Sequence, residues 1–442
     1  MLSRIDYRVA PGGQLQGTVN VPGDKSISHR AIMLGSLAQG RSRIENFLEG
    51  EDCLATLGAF RAMGVKIERT AGTSVVVDGV GVHGLQAPGE MLDVGNSGTS
   101  MRLMAGLLSG QTFDSVLTGD DSLRKRPMAR VINPLTQMGA YIESEKAMAP
   151  LKIHGGRRLH GLHYEMPIAS AQVKSCLLLA GLYAQGITEV IEPGPSRDHS
   201  ERMLRAFGYA VESGEGRVCL TGGGNLQACD VTVPNDISSA AFFLVAAAIV
   251  PGSELLLPNV GINPTRNAVI TILRAMGAHI EQRDERLQGG EPVADLLVRG
   301  QGLQGIKIDP ALVPLAIDEF PAIFIAAACA EGETLLTDAA ELRVKESDRI
   351  QVMADGLQSL GVEVEARTDG MRIIGLGEHG HLQGGIVNSH GDHRIAMSFA
   401  MAALRAIEPV VIRDCANVDT SFPGFAELAA DAGLAIEKQV QE

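Results

Sequence analysis

The 442-residue sequence predicts an α/β protein of two domains, each built from three copies of one supersecondary unit. Three observations carry that prediction. The phrase Gly-x-x-(Ile/Val)-Glu recurs six times, starting at Gly64, Gly139, Gly208, Gly277, Gly361 and Gly433, at steps of 75, 69, 69, 84 and 72 residues. Upstream of each copy lies a helical stretch that is apolar on nearly every side, as buried helices are. Six such units exceed what one hydrophobic core supports, so two domains of three units follow, with the polar segment around Asn235-Asp236 as the boundary.

Within a unit the elements follow a fixed order. Polar residues open each buried helix: Lys25-Ser26, Asn96-Ser97, Ser170-Ala171-Gln172, Ser238-Ser239, Asp318-Glu319 and Asp392-His393-Arg394. The first five helices are predicted to close on Gly40, Gly110, Gly186, Gly252 and Gly332. A strand follows, then an amphipathic helix, in which Met128, Val131, Ile132, Leu135 and Met138 mark the apolar face. The repeat glycine is the C′ residue of that helix, and the alternating residues after it begin another strand. Helix N-termini gathered at one cleft would offer N–H groups and positive dipole ends to an anion, each contributing roughly 0.3–2 kcal/mol.

Composition narrows the partners. Lys and Arg number 38 against 52 Asp and Glu, a net charge of −14 that disfavours nucleic acid and anionic membranes as partners. An anionic ligand must be captured by a local basic site. Aromatics are 4% with no Trp, which argues against stacking platforms for bases or sugars. None of the six cysteines forms a C-x-x-C pair, and reduced core thiols are the better reading than zinc or disulfides. The polar start, MLSRIDYRVA, is not a signal peptide, and the longest apolar run, Ala240 to Val250, is 11 residues against the ~20 needed to span a bilayer. A cytoplasmic protein is expected.

Several segments hold residues suited to chemistry. Gly23-Asp24-Lys25-Ser26-Ile27-Ser28-His29-Arg30 is either a capped helix start or an anion site, and it is not a P-loop. Gly95 to Arg102 is either an N-cap turn or a phosphate cradle. Arg124, Lys125, Arg126 and Arg130 place four cations in seven residues, on a solvated loop or an anion site, with Pro127 suited to the first helical turn. Ser170, Gln172, Lys174 and Ser175 open an apolar helix and need partners, either a ligand or an internal network. Asp318 and Glu319 are helix caps or a general base. Arg343 to Arg349 is an exposed charged helix start, or else Lys345 and Arg349 pair as cations beside a proton donor, Glu346. His390 to Arg394 lacks a second cluster with metal spacing, so no metal is expected, and no residue stands out as a covalent nucleophile.

Taken together, GDKSISHR, GNSGTSMRL, SLRKRPM, SAQVKS, SRDHSE, NPTR, IDEFP, LRVKESDR, DHRIAMS and TSFPGF, in that order and over nearly the whole length, resemble the 5-enolpyruvylshikimate-3-phosphate synthases of the enolpyruvyl transferase family. The resemblance implies two inside-out α/β barrel domains, each of three βαβαββ-like repeats. It places residues 21–235 in one domain and 236–442 in the other, completed by residues 1–20, with the active site in the cleft between them. It assigns Lys25, Ser26, Arg30, Ser170, Ala171, Gln172, Arg197, Asp318 and Lys345 to shikimate-3-phosphate. Lys25, Asn96, Gly98, Arg126, Gln172, Glu346, Arg349 and Arg394 fall to phosphoenolpyruvate. Asp318 matches the acceptor of the 5-hydroxyl proton, Glu346 the acid that protonates the enol methylene, and Lys25 is shared between the substrates.

The implied reaction adds the 5-hydroxyl to C2 of phosphoenolpyruvate as C3 takes a proton, and phosphate then leaves a tetrahedral intermediate. It needs a base, an acid and cationic clamps, and no metal or redox cofactor. A monomer acting on two small molecules, without nucleic acid or membrane, is implied. Two alternatives stand beside it. A UDP-N-acetylglucosamine enolpyruvyl transferase usually carries a loop Cys, but this chain has none between Cys53 and Cys176. A catalytically inactive binding protein on the same scaffold sits poorly with retention of Asp318 and Glu346.

Overall fold

The computed structural model describes residues 4–441. The chain divides into two compact domains. The first comprises Gly23–Val233 with Leu287–Glu291, and the second Met1–Pro22, Pro234–Arg286 and Pro292–Glu442. The sequence-based limits of 21–235 and 236–442 thus shift by two residues. A further difference is the tip of one hairpin, between strands His279–Gln288 and Glu291–Arg299, which groups with the first domain. Each domain has its own apolar cluster.

The first domain contains helices α1 (Lys25–Leu37), α2 (Glu51–Ala62), α3 (Gly98–Ser109), α4 (Ala129–Gln137), α5 (Ala171–Gly181) and α6 (His199–Ala206). The second contains α7 (Ile237–Ala248), α8 (Ala268–Ala275), α9 (Phe320–Cys329), α10 (Arg349–Ser359), α11 (His393–Ala402), the short α12 (Val418–Ser421) and α13 (Phe425–Asp431). Helices α1, α3, α5, α7, α9 and α11 are the buried ones, and every residue of α7 and α9 is buried. Side chains of Asp24, Ser97, Ser170, Asp236 and Asp392 cap α1, α3, α5, α7 and α11. The α9 start is different. No side chain caps it, Pro321 sits in its first turn, and Asp318 and Glu319 turn elsewhere.

The repeat is βαβαββ. In one copy Leu92–Asp93 runs parallel to Ser115–Thr118, which pairs antiparallel with Met148–His154, and that strand with Tyr141–Glu145. Three copies are completed from distant sequence, the fourth repeat among them by Gln16–Thr18, which lies parallel to Glu254–Gly261. Leu226–Gln227 and Val231–Thr232 lie parallel to Ala38–Glu45 in the first repeat. Arg4–Val9 closes the sixth, between Val410–Arg413 and Ile436–Gln441.

The six repeat glycines all have positive φ, from 77° to 114°. Each ends its helix in a Schellman motif. At the first, Val65 N–H donates to Phe60 C=O and Gly64 N–H to Arg61 C=O, and the pair recurs at Gly139, Gly208, Gly277, Gly361 and Gly433. The other glycine series behaves otherwise. Only Gly110 sits at a helix C-cap; Gly40 and Gly332 lie inside strands, and Gly186 and Gly252 in the turns before strands. Helices α1 and α9 end earlier because the chain becomes extended at once, with Ala38 at ψ 161° and Ala330 at ψ 160°.

Among the described residues no helix is long and apolar enough to cross a membrane.

Close approach of a strand to the end of a buried helix sets a testable contrast. A Cβ at Gly79 would lie 2.3 Å from Ala38 O and 2.4 Å from Gly35 O, whereas one at Gly58, exposed on α2, would meet nothing within 4 Å. Gly79→Ala is expected to destabilise the first domain by about 1–3 kcal/mol. Gly58→Ala should stabilise it by about 0.5–1 kcal/mol. Urea denaturation of the two variants checks both signs.

Candidate active site

In the first domain the candidate residues collect at the N-terminal ends of α1, α3 and α5. Lys25, in the first turn of α1, pairs with the Asp52 carboxylate on α2. Arg30 is one turn further in and 4% exposed. Its guanidinium donates to Ser200 Oγ (2.7 Å), Ser175 Oγ (2.8 Å) and the Ser26 carbonyl (2.9 Å), an internal framework that fixes its direction. Beside this lies a second cluster. Asn96 donates to Asp120 (2.7 Å) and accepts from Arg126 (2.6 Å). Gly98 opens α3, where a Cβ would come within 3.0 Å of Arg102 Nη1 and 3.3 Å of Arg126 Nη1. Glycine at this position leaves space in front of two guanidinium groups.

Gln172 links the clusters. It accepts from Arg102 (2.6 Å) and donates to Thr99 on α3 (3.0 Å), one residue beyond Ala171 and two beyond the α5 cap, Ser170. Arg197 stands apart, half-buried on the loop between the strand Ile187–Ile191 and α6. The basic loop sorts itself: Arg124, Lys125 and Arg130 are exposed, and Arg126 alone turns to Asn96. Pro127 lies ahead of α4, whose cap is Met128, rather than in its first turn.

The second domain holds the carboxylates. Asp318 Oδ1 is 3.4 Å from both Lys345 Nζ and Arg349 Nη1. Arg349 also donates to Glu346 (2.6 Å) and, through Nε, to Asp392 (2.8 Å). The same guanidinium therefore touches the candidate base and the candidate acid. Its side chain is 1% exposed, against the exposed helix start that the local sequence suggests, because Asp392 comes from α11, 43 residues on. Burial works against the charge of Arg349, but Asp392, Glu346 and Asp318 outweigh it and raise its pKa. Burial likewise opposes ionisation of Asp392, yet the facing Arg349 holds its carboxyl below the ordinary value. Arg394 donates to the Asp318 carbonyl (3.0 Å) and lies 3.7 Å from Glu319, which accepts from Ser238.

Sequence reasoning gave no individual role to Arg102, Asp392 or His29, although each lies in a segment it singled out, and it named Glu319 beside Asp318 only as a cap or a general base. Arg102 was legible in principle, four residues from Gly98 on one helix face. His29 is fully buried, bonded to Thr56 (2.8 Å), and its pKa lies well below the ordinary value, first through burial and then through Lys25 and Arg30. It is a neutral strut between helices. All six cysteines are free, and burial pushes the Cys176 thiol up to about 12, so it is no ready thiolate. Among the described residues no group of three or more His, Cys, Asp or Glu side chains is arranged to hold a metal ion.

This scaffold is that of the enolpyruvyl transferases. Its fold matches the enolpyruvyl transferase NikO from Streptomyces tendae with a TM-score of 0.80 at 17% identity, over 100% of both chains. A family model for EPSP synthase (3-phosphoshikimate 1-carboxyvinyltransferase) matches residues 9–428, and the chain belongs to that family. It is 64% identical over 435 residues to the 3-phosphoshikimate 1-carboxyvinyltransferase of Alkalilimnicola ehrlichii, covering 98% of this chain and 97% of the relative. It is 62% identical to that of Methylococcus capsulatus, covering 98% of each. The solved EPSP synthase of Acinetobacter baumannii is 55% identical with a TM-score of 0.90, covering 98% of this chain and 100% of that one.

The Asp392–Arg349 pair yields a pH-dependent prediction. Removing one partner of a buried pair strands the other, so Asp392→Ala should cost about 3–5 kcal/mol at neutral pH. Because the folded-state pKa of Asp392 is depressed, its contribution is present above the ordinary value of 3.8 and lost as pH falls through the lowered pKa. Urea titrations from pH 7 to 3 should show the gap between wild type and variant narrowing below about pH 4. A constant gap would contradict the pairing.

Proposed function

We propose that this chain transfers the enolpyruvyl group of phosphoenolpyruvate to the 5-hydroxyl of shikimate-3-phosphate, with release of phosphate, in aromatic amino-acid biosynthesis. The observation that carries the reading most directly is the hold of Arg349 on both Asp318 and Glu346. A base and an acid on one buried cation suit a reaction that removes a proton from a hydroxyl and delivers one to a methylene carbon. Asp318 is assigned the 5-hydroxyl proton. Glu346 is assigned the proton that goes to C3 of phosphoenolpyruvate.

The cations divide by role. Lys345 beside Asp318, and Arg30 and Arg197 in the first domain, are assigned to the acceptor together with Lys25, Ser26, Ser170, Ala171 and Gln172. Arg126 and Asn96 at the start of α3, with Gly98 and the shared Lys25 and Gln172, are assigned to phosphoenolpyruvate along with Glu346, Arg349 and Arg394. Charge-assisted hydrogen bonds contribute about 1.5–3 kcal/mol each, so a few suffice to hold two phosphorylated substrates against a net charge of −14. Both domains supply groups to one reaction in this reading. We take the protein to act as a cytoplasmic monomer, and to act without nucleic acid, which its acidity disfavours as a partner.

The deciding assay is phosphate release from phosphoenolpyruvate with shikimate-3-phosphate, with and without EDTA. Release that survives EDTA is expected. Release only with UDP-N-acetylglucosamine would overturn the reading, and complete loss in EDTA would overturn its metal-free chemistry. Separately, Asp318→Asn should lower turnover by about 10²–10⁴-fold while shikimate-3-phosphate still binds in equilibrium titration. Unchanged turnover would remove Asp318 from its role.

A further inference from the structure

Lys174 is a buried ammonium group that the reaction does not use. It lies one turn into α5, and its side chain is 1% exposed. Its Nζ is 2.8 Å from Glu192 and 2.8 Å from Glu201, whose side chains are 9% and 3% exposed. Glu192 directly follows the strand Ile187–Ile191, and Glu201 lies in the first turn of α6. One cation thus ties together the N-terminal end of α5, the end of a strand and the N-terminal end of α6. The loop that these anchors bracket carries Arg197.

The loop is constrained along its length. Pro193 and Pro195 restrict its backbone. Ser196 Oγ donates to Glu192 on the oxygen not used by Lys174, and Lys174 Nζ also reaches the Ser196 carbonyl at 3.5 Å. Past Arg197, each polar residue is anchored on a different partner. Asp198 accepts from Arg202 (2.8 Å), His199 pairs with Glu291 (2.7 Å), and Ser200 bonds both Ser175 (2.7 Å) and Arg30 (2.7 Å). The cluster that holds the Arg197 loop therefore shares α5 and α6 with the hydroxyl pair that aims Arg30. A buried charge cluster is a poor source of net stability compared with apolar packing, but its directional bonds can define geometry.

We propose that Lys174, Glu192 and Ser196 are positioning residues for shikimate-3-phosphate: they hold the loop bearing Arg197 in register with α5, and so set the direction from which Arg197 meets the acceptor. None of the three needs to touch the substrate. The proposal rests on the assignment of Arg197 to that ligand.

Steady-state kinetics with each substrate varied in turn tests it. Glu192→Gln keeps the shape and removes the charge that ties Lys174 to the loop. It should raise KM for shikimate-3-phosphate by about tenfold while KM for phosphoenolpyruvate and kcat stay within about twofold. Ser196→Ala, on the loop itself, should shift the same KM in the same direction and serves if Glu192→Gln does not fold. In an Arg197→Ala background, Glu192→Gln should add no further change, since its effect passes through Arg197. Multiplying effects in the double variant, equal rises in both KM values or an unchanged KM in both single variants would each overturn the proposal. An Arg197→Ala enzyme with unaltered KM for shikimate-3-phosphate would also overturn it. Phosphate release by the unmodified protein judges the function separately.

Discussion

A helix buried on every side leaves its unpaired backbone N–H groups only at its start, and that constraint organises this protein. Side-chain packing around α1, α3, α5, α7, α9 and α11 leaves no lateral position for an unpaired charge, so chemistry accumulates where the backbone itself is polar. Asp24, Ser97, Ser170, Asp236 and Asp392 satisfy helix N–H groups there. The same turns carry Lys25, Gly98, Gln172 and Arg394. Structural capping and the candidate site are therefore neighbours by necessity, and Asp392 serves both, as the α11 cap and as the partner of Arg349.

The candidate groups of the two domains differ in charge. Candidate groups in the first are mainly cations and amides oriented by neutral hydroxyls and by Asp52 and Asp120. Those in the second centre on Arg349, which faces three carboxylates of different exposure: Asp392 at 0%, Asp318 at 16% and Glu346 at 31% of the side chain. The buried one holds the arginine in place. The more open ones remain within reach of solvent, where a proton can be exchanged. Asp52, Asp120 and Asp392 also explain how a strongly acidic chain keeps basic sites: part of its acidity lies against the cations it orients.

Sequence patterns were most legible where backbone geometry demanded one residue type. The Gly64 series required positive φ, so six Schellman motifs could be read from a five-residue phrase. Apart from Gly110, the Gly40 series marked turns and strand residues instead, since glycine serves those equally well. Ionic partners were least legible because they lie far apart in the chain. Arg349 read as a surface charge until α11 supplied Asp392, and Lys174 read as open to ligand or network until Glu192 supplied the network. At Asp318-Glu319 the sequence left a cap and a general base both open, and the two carboxylates turn to cations and a hydroxyl within the domain. Charge type was visible, and its direction was not.

The strand Arg4–Val9 pairs with two strands near the other end of the chain, and Asp6 accepts the Asp414 N–H across 408 residues. During synthesis the first of these partners to leave the ribosome is therefore the last to be matched. The first domain, with its own core and its closing strand complete by Thr232, can fold while that strand still waits. The second domain becomes whole only when the final strand arrives. Without Val410–Arg413 and Ile436–Gln441, the strand Arg4–Val9 would lack both neighbours and stand as an exposed edge.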